Sequence, residues 1–175
     1  MVENAVAAGA DTIDVLVFES AKENLLRLEV RDNGRGMDRK TVEKAMDPFY
    51  TTKEFKKVGL GIPLLKATAQ VCHGDLRIDS RPGEGTTIRA WMEKNHIDCP
   101  PLGNIAETIL GLLVSFDDRN LRFTFENERG LFSLSTADIR RQVGDLHFSH
   151  PEVFRFLKGF LNEKLGPLAG APGQG

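Results

Sequence analysis

Arg31-Asp32-Asn33-Gly34-Arg35-Gly36-Met37 is the stretch whose reading decides the fold of the first part of this chain. Just before it, Leu26, Leu28 and Val30 alternate with Arg27, Glu29 and Arg31, the two-residue period of a strand with one buried face. Continuing that parity turns Asp32 inward. A carboxylate at the buried end of a strand is costly unless something hydrogen-bonds it, while Gly34 and Gly36 let the backbone turn sharply and approach a ligand closely. An acceptor-only side chain at the floor of a pocket suits an amino group such as the exocyclic amine of adenine. The same residues also read as an ordinary Asp-Asn-Gly hairpin turn, so the neighbouring segments have to decide.

Working outward, Met1 to Ala10 reads as a short helix with Val2, Ala5, Val6 and Gly9 on its packed side and Glu3 and Asn4 beside them. No cap precedes it, so the helix reads as cut short at its start. Thr12 to Phe18 is a β-branched strand, expected antiparallel to Leu25–Arg31. A helix fits from Asp38 to Met46, stopped by Pro48. Residues 49–58 then form a basic loop with Lys53, Lys56 and Lys57, which opens into Gly59-Leu60-Gly61 and an apolar helix through Cys72. Glycines at a helix start expose unpaired N–H groups, the helix dipole adds positive charge, and the lysines add point charges: a phosphate-binding arrangement, or else an exposed basic loop with a glycine hinge. No Gly-x4-Gly-Lys-Ser/Thr occurs, and neither Gly34-x-Gly36 nor Gly59-x-Gly61 completes a dinucleotide fingerprint, which argues against P-loop and Rossmann enzymes. Asp75–Ser80 and Thr86–Met92 make a hairpin around Arg81–Gly85. Alternation turns Thr86 inward, where its hydroxyl needs a ligand, a trapped water near Asp32, or a structural hydrogen bond to the backbone.

Composition separates a second region. The formal charge of −2 gives no basic bias, which argues against nucleic acid as the main partner, and the eleven Phe residues concentrate after position 115. Cys72 and Cys99 are too few for a disulfide framework and read as reduced. No signal peptide or bilayer-length apolar run is seen, so a cytoplasmic location away from the membrane is expected. Asn95–Pro101 is a polar link that divides residues 1–94 from a small α+β appendage over 102–165, with 166–175 expected as a disordered tail. In the appendage, apolar residues at helical spacing from Leu102 to Leu113 precede two alternating strands. Ser135 with Asp138, and Ser149 with Glu152, are capping-box patterns opening two more helices, the last stopped at Gly166 and Pro167. His96 and Cys99 are half a metal-ligand set without a second pair at ligand spacing, and read as loop residues. No repeat and no catalytic constellation is visible in the second region.

Taken together, four ordered motifs over about residues 1–93 resemble the GHKL superfamily of ATP-binding domains, which comprises gyrase, Hsp90-like chaperones, histidine kinases and MutL-type repair proteins. Glu3-Asn4-Ala5 resembles the N-box, Asp32-x-Gly34-x-Gly36 the adenine box, Phe49 with Thr51, Thr52 and Lys53 the F-box and lid of sensor histidine kinases, and Gly59-Leu60-Gly61-Ile62 their second glycine box. Gly85-Thr86-Thr87 resembles the closing strand. The Ala8-Gly9-Ala10 ending is similar to MutL, whereas the lid and the 73–87 stretch are closer to histidine kinases. The resemblance implies a two-layer α/β sandwich of the Bergerat type, a mixed sheet with helices on one face. It implies ATP and Mg²⁺ as ligands, with Asn4 on the metal, Asp32 and Thr86 on adenine, and Gly34, Gly36 and Met37 around the base. Phe49, Thr52, Lys53, Lys57, Gly59, Leu60 and Gly61 would close on the phosphates. The chain departs from the family in three ways. The usual base lies one helical turn before the N-box asparagine, ahead of Met1, and Glu3 is rotated by about 100° from Asn4. No histidine is followed by an acidic residue as in phosphoacceptor modules. The glycine box is short, with Lys56-Lys57-Val58 before Gly59. The implied activity is γ-phosphoryl transfer to a histidine on a partner protein. The alternatives are an ATP-dependent switch whose Phe-rich appendage docks a partner or a second copy as a homodimer, and a degenerate domain that binds no nucleotide.

Overall fold

The computed structural model describes residues 1–47 and 60–169. In chain order its elements are α1 (Val2–Ala7), β1 (Thr12–Ser20), β2 (Leu25–Asp32), α2 (Arg39–Ala45), α3 (Gly61–Val71), β3 (Asp75–Arg81) and β4 (Gly85–Glu93). They continue with α4 (Ile105–Ser115), β5 (Asn120–Asn127), β6 (Gly130–Ser135), α5 (Thr136–Val143) and α6 (Pro151–Ala169). The strands form one six-stranded mixed sheet in the order β3-β4-β2-β1-β5-β6. Every neighbouring pair is antiparallel except β1 and β5, which run parallel.

The two-residue period read in the sequence becomes rows of side chains that cross the whole sheet. One row runs Ile78, Ile88, Val30, Val15, Phe123, Leu134, and the next Leu76, Ala90, Leu28, Val17, Phe125, Phe132. Against these rows pack Ile62 and Ala69 of α3, Ile109 and Leu113 of α4, and Leu157 and Leu161 of α6, in a single apolar cluster. Fully burying each such side chain contributes about 1.5–3 kcal/mol, so the rows and the helices over them carry most of the stability. The opposite face is polar, with Arg89 paired to Glu29 at 2.7 Å and Arg27 lying over the Phe18 ring at 4.9 Å. This is the two-layer α/β sandwich expected.

Caps follow their local signals. Asp38 accepts the Thr41 N–H at 2.7 Å to open α2, a bond that holds its carboxyl below the usual range. Ser135 and Asp138 close a full capping box on α5. Two features differ from expectation. The strands of the 102–165 region continue the first region's sheet, because β5 lies along β1 from Thr12↔Asn120 to Phe18↔Glu126. And residues 166–169, expected in a disordered tail, belong to α6, which runs through Pro167. Its last carbonyls have partners: Asn127 Nδ2 donates to Leu168 C=O at 2.8 Å and Arg129 Nη1 to Pro167 C=O at 3.3 Å. The proline's missing N–H costs the helix its bond back to the Glu163 carbonyl, and these two side-chain bonds tie down the turn around it. Among the described residues, no helix is long and apolar enough to cross a membrane.

The far ends of the two hairpins flanking the parallel pair are joined by Glu128, whose Oε1 accepts from Ser20 Oγ at 2.7 Å and Lys22 N–H at 3.1 Å. The Ser20 hydroxyl, then the Lys22 amide, lower the carboxyl from an ordinary 4.5 to about 2. A carboxyl depressed on folding stabilises the fold above its unfolded value, and that contribution is lost as pH falls through the folded one. Between pH 4.5 and about 2 the melting midpoint of Glu128→Gln should therefore fall less steeply than the parent's. Parallel curves for the two proteins would show that this carboxylate is not linked to stability.

Candidate functional site

The Arg31–Met37 stretch is a junction of backbone and side-chain bonds. Asn33 Oδ1 accepts the N–H groups of Asp11 (3.0 Å) and Thr12 (2.9 Å), fixing the start of β1. Arg35 donates its N–H to Ala8 C=O at the end of α1 (2.9 Å), and its own carbonyl accepts Gly83 N–H at the tip of the β3–β4 hairpin (2.8 Å). Met37 N–H donates to Ser80 Oγ at 2.8 Å. Gly36 has φ +64°, and a Cβ there would lie 1.9 Å from the Arg81 carbonyl oxygen. The close approach that glycine permits here is thus to the hairpin backbone.

At the centre of this junction Asp32 ends β2 directly opposite Thr86 of β4. One carboxylate oxygen, Oδ1, accepts Gly34 N–H at 2.9 Å in a tight turn. Among the described residues Oδ2 accepts no hydrogen bond. Thr86 is buried, and its hydroxyl lies 2.9 Å from Ser80 Oγ, which also lies 3.0 Å from the Gly85 carbonyl oxygen. The structural partner of Thr86 is therefore a side chain, Ser80, and not the backbone group expected as one alternative. A carbonyl can only accept, so giving Ser80's single proton to Gly85 makes Thr86 the donor to Ser80. Thr86 then offers only lone pairs, and the site presents two acceptors side by side. A cavity of about 590 Å³ lies beside them, with Val42 and Glu43 of α2 also on its wall.

Ser80 was not singled out from the sequence, although the parity of Leu76 and Ile78 already turned it inward. It serves three groups, so Ser80→Ala should cost about 1–3 kcal/mol, chiefly through the unsatisfied Met37 N–H and Thr86 hydroxyl. Urea unfolding measures this, and a loss below about 0.5 kcal/mol would mean water replaces the hydroxyl.

The other predicted residues are placed as follows. Asn4 is exposed on α1, and its carbonyl accepts the Ala8 N–H at 3.0 Å. The two share one side of the helix, the side on which Ala8 Cβ comes 3.0 Å from where a Gly34 side chain would begin. Asn4 thus stands one turn from the Asp32 loop. Leu60 is the N-cap of α3 and its side chain makes no cap bond; Pro63 has no N–H, so the first turn offers the amides of Gly61 and Ile62. Around Gly61, nothing among the described residues lies within 4 Å of an added Cβ. Phe49, Thr51, Thr52, Lys53, Lys56, Lys57 and Gly59 lie outside the described residues. Among the described residues no group of three or more His, Cys, Asp or Glu side chains could hold a metal ion. His96 packs edge-on to His73, their ring centroids 4.5 Å apart, and Cys72 and Cys99 are free thiols.

A carboxylate and a hydroxyl paired at the end of a mixed sheet, under an N-terminal helix bearing an asparagine, define a class of domain. Residues 1–96 match the family of histidine kinase-, DNA gyrase B- and HSP90-like ATPases, and the chain belongs to that family. Among curated relatives it is 40% identical over 72 residues to the sensor histidine kinase WalK of Bacillus subtilis (strain 168), covering 38% of this chain and 12% of that protein. It is 43% identical over 86 residues to the sensor protein kinase FleS of Pseudomonas aeruginosa, covering 49% of this chain and 21% of that protein. With sporulation kinase A of Bacillus subtilis the identity is 32% over 96 residues, 54% of this chain and 15% of that protein. The matches thus span between 12% and 21% of these relatives' own lengths.

Proposed function

We propose that residues 1–96 bind Mg-ATP and pass its γ-phosphoryl group to a histidine on a partner protein. The observation that carries the nucleotide half is the direct pairing of Asp32 with Thr86, which leaves a carboxylate oxygen and hydroxyl lone pairs facing a ligand. Two acceptors suit the adenine amine and a bridging water, and they repel guanine, which carries a carbonyl oxygen at the same ring position. Asn4 would give its side-chain oxygen to Mg²⁺, whose remaining ligands would be phosphate oxygens and water. The Gly61 and Ile62 amides at the start of α3 would meet the phosphates, with Lys53 and Lys57 adding charge. Phosphoryl transfer asks a protein mainly for position and charge, which is what these groups offer. The phosphoacceptor half rests on the kinases this chain is similar to, and the acceptor would come from another protein or a longer form of this one.

Calorimetric titration with Mg-ATP, Mg-ADP and Mg-GTP tests the reading, run on the parent and on Gly61→Ala. Alanine has room at this helix start and favours helix, so the variant should melt no lower than the parent. Its methyl would crowd the phosphates, raising Kd for ATP about tenfold, or ~1.4 kcal/mol. Equal affinity for GTP and ATP would refute the assignment of Asp32 to adenine. Labelled ATP with histidine-bearing partners should yield an acid-labile phosphohistidine, and its absence across all of them would remove the transfer step.

A further inference from the structure

His147, Ser149 and Asp117 form a second constellation, apart from the residues assigned to nucleotide. Phe148 is fully buried and turns the residues on either side of it outward together. The Ser149 hydroxyl lies 2.6 Å from His147 Nδ1, and the Ser149 N–H donates to the same nitrogen at 3.2 Å. A ring nitrogen that accepts an amide proton carries no proton itself, so the hydrogen of the neutral ring sits on Nε2. Nε2 lies 3.0 Å from Asp117 Oδ2. The side chain of Asp117 is only 9% exposed. It is fixed by the Phe148 N–H (3.2 Å) and by Arg140 Nη2 (3.4 Å), and Arg140 also donates to the Asp117 carbonyl (2.8 Å) and lies over the Phe148 ring.

From this geometry we infer that Ser149 is an activated nucleophile, with His147 as its base and Asp117 as the residue that positions His147, and that it accepts acyl groups from small activated esters. The hydroxyl, imidazole and carboxylate stand in the order that nucleophilic serine chemistry requires, with the ring reversed so that Nδ1 faces the hydroxyl and Nε2–H the carboxylate. The His147 side chain is 60% exposed, so a small ester can reach it. Ser149 Oγ attacks the ester carbonyl carbon while its proton passes to His147 Nδ1. As the carbonyl re-forms, the leaving alkoxide takes that proton from His147, or a phenoxide leaves as the anion and His147 gives the proton to solvent. His147 then takes a proton from the water that attacks the acyl-serine and returns it to Ser149 Oγ as the acid leaves. Ser149 also immediately precedes α6, whose first amides after Pro151, those of Glu152 and Val153, have no acceptor within the helix and could face the developing oxyanion.

The full chain is incubated with p-nitrophenyl acetate and the acetyl adduct mapped by mass spectrometry. Acetylation of Ser149 is expected, slowed about 10²-fold or more in His147→Gln, whose exposed position leaves the fold intact. Asp117→Asn keeps an acceptor for Phe148 and Arg140, so its melting midpoint should stay near the parent's, yet its acetylation should be slowed in the acylation rate constant and not in KM for the ester. Adducts confined to other residues, or a Ser149 adduct forming equally fast in His147→Gln, would overturn the inference. Nucleotide plays no part in this measurement, so its outcome is separate from that of the ATP titration.

Discussion

Asp32→Asn is expected to abolish nucleotide recognition while leaving the fold as it is. The asparagine oxygen can still accept the Gly34 N–H that Asp32 Oδ1 accepts at 2.9 Å, so the turn survives. What changes is the second position, where an acceptor becomes a donor pointing at the adenine amine. Losing a charge-assisted bond and leaving two donors opposed should weaken Mg-ATP binding by at least about 100-fold, or ~2.7 kcal/mol. At ATP concentrations 100 times the parent's Kd, the parent gains about 2.7 kcal/mol of stability and the variant only ~0.4 kcal/mol. Thermal melting with and without nucleotide reads both numbers. A variant stabilised as strongly as the parent would show that adenine is recognised elsewhere.

Gly36→Ala should have the opposite signature, loss of the fold without any question of ligand. Its Cβ would sit 1.9 Å from the Arg81 carbonyl oxygen and 2.8 Å from the carbonyl carbon, both backbone atoms of the β3–β4 hairpin that no rotamer change can move. The left-handed φ of +64° adds about 1–2 kcal/mol for any residue with a Cβ. A total above about 4 kcal/mol is a large share of the 5–15 kcal/mol that holds a domain together. Gly9 supplies the control. It has φ +78° with nothing within 4 Å of an added Cβ, so Gly9→Ala should lose only about 1–2 kcal/mol. Denaturant midpoints that fell equally for the two variants would mean the hairpin yields to Gly36's side chain.

Parity carried much of the site. Reading β2 turned Asp32 inward and reading β4 turned Thr86 inward, and the register then set them opposite each other. Helix starts were legible where a side chain bonds within three residues, as at Asp38 and Ser135. Three features were not. The parallel pairing of β1 with β5 depends on an unmatched strand edge and leaves no periodic mark in either segment. The stop expected at Pro167 was outweighed by Asn127 and Arg129, which reach α6 from a distant turn. The contact of His147 with both Asp117 and Ser149 was not legible either, because the carboxylate and the imidazole stand about thirty positions apart and only folding joins them. Ser149, expected to cap α6 with Glu152, has its hydroxyl on His147.

The seam between β1 and β5 also sets an order of events. The β1–β2, β3–β4 and β5–β6 hairpins each close over a few residues, on a timescale of microseconds. The seam must bring together segments so distant that the Ser20–Glu128 bond at its end spans 108 positions. Loop-closure entropy therefore places it late in folding. Until it forms, β1 is an open edge carrying Ile13, Val15 and Val17, the kind of template on which other chains add strands. A chain cut after residue 96, where the family match ends, would keep that edge permanently. For such a fragment, aggregation would set the limit on handling before ATP binding could be measured.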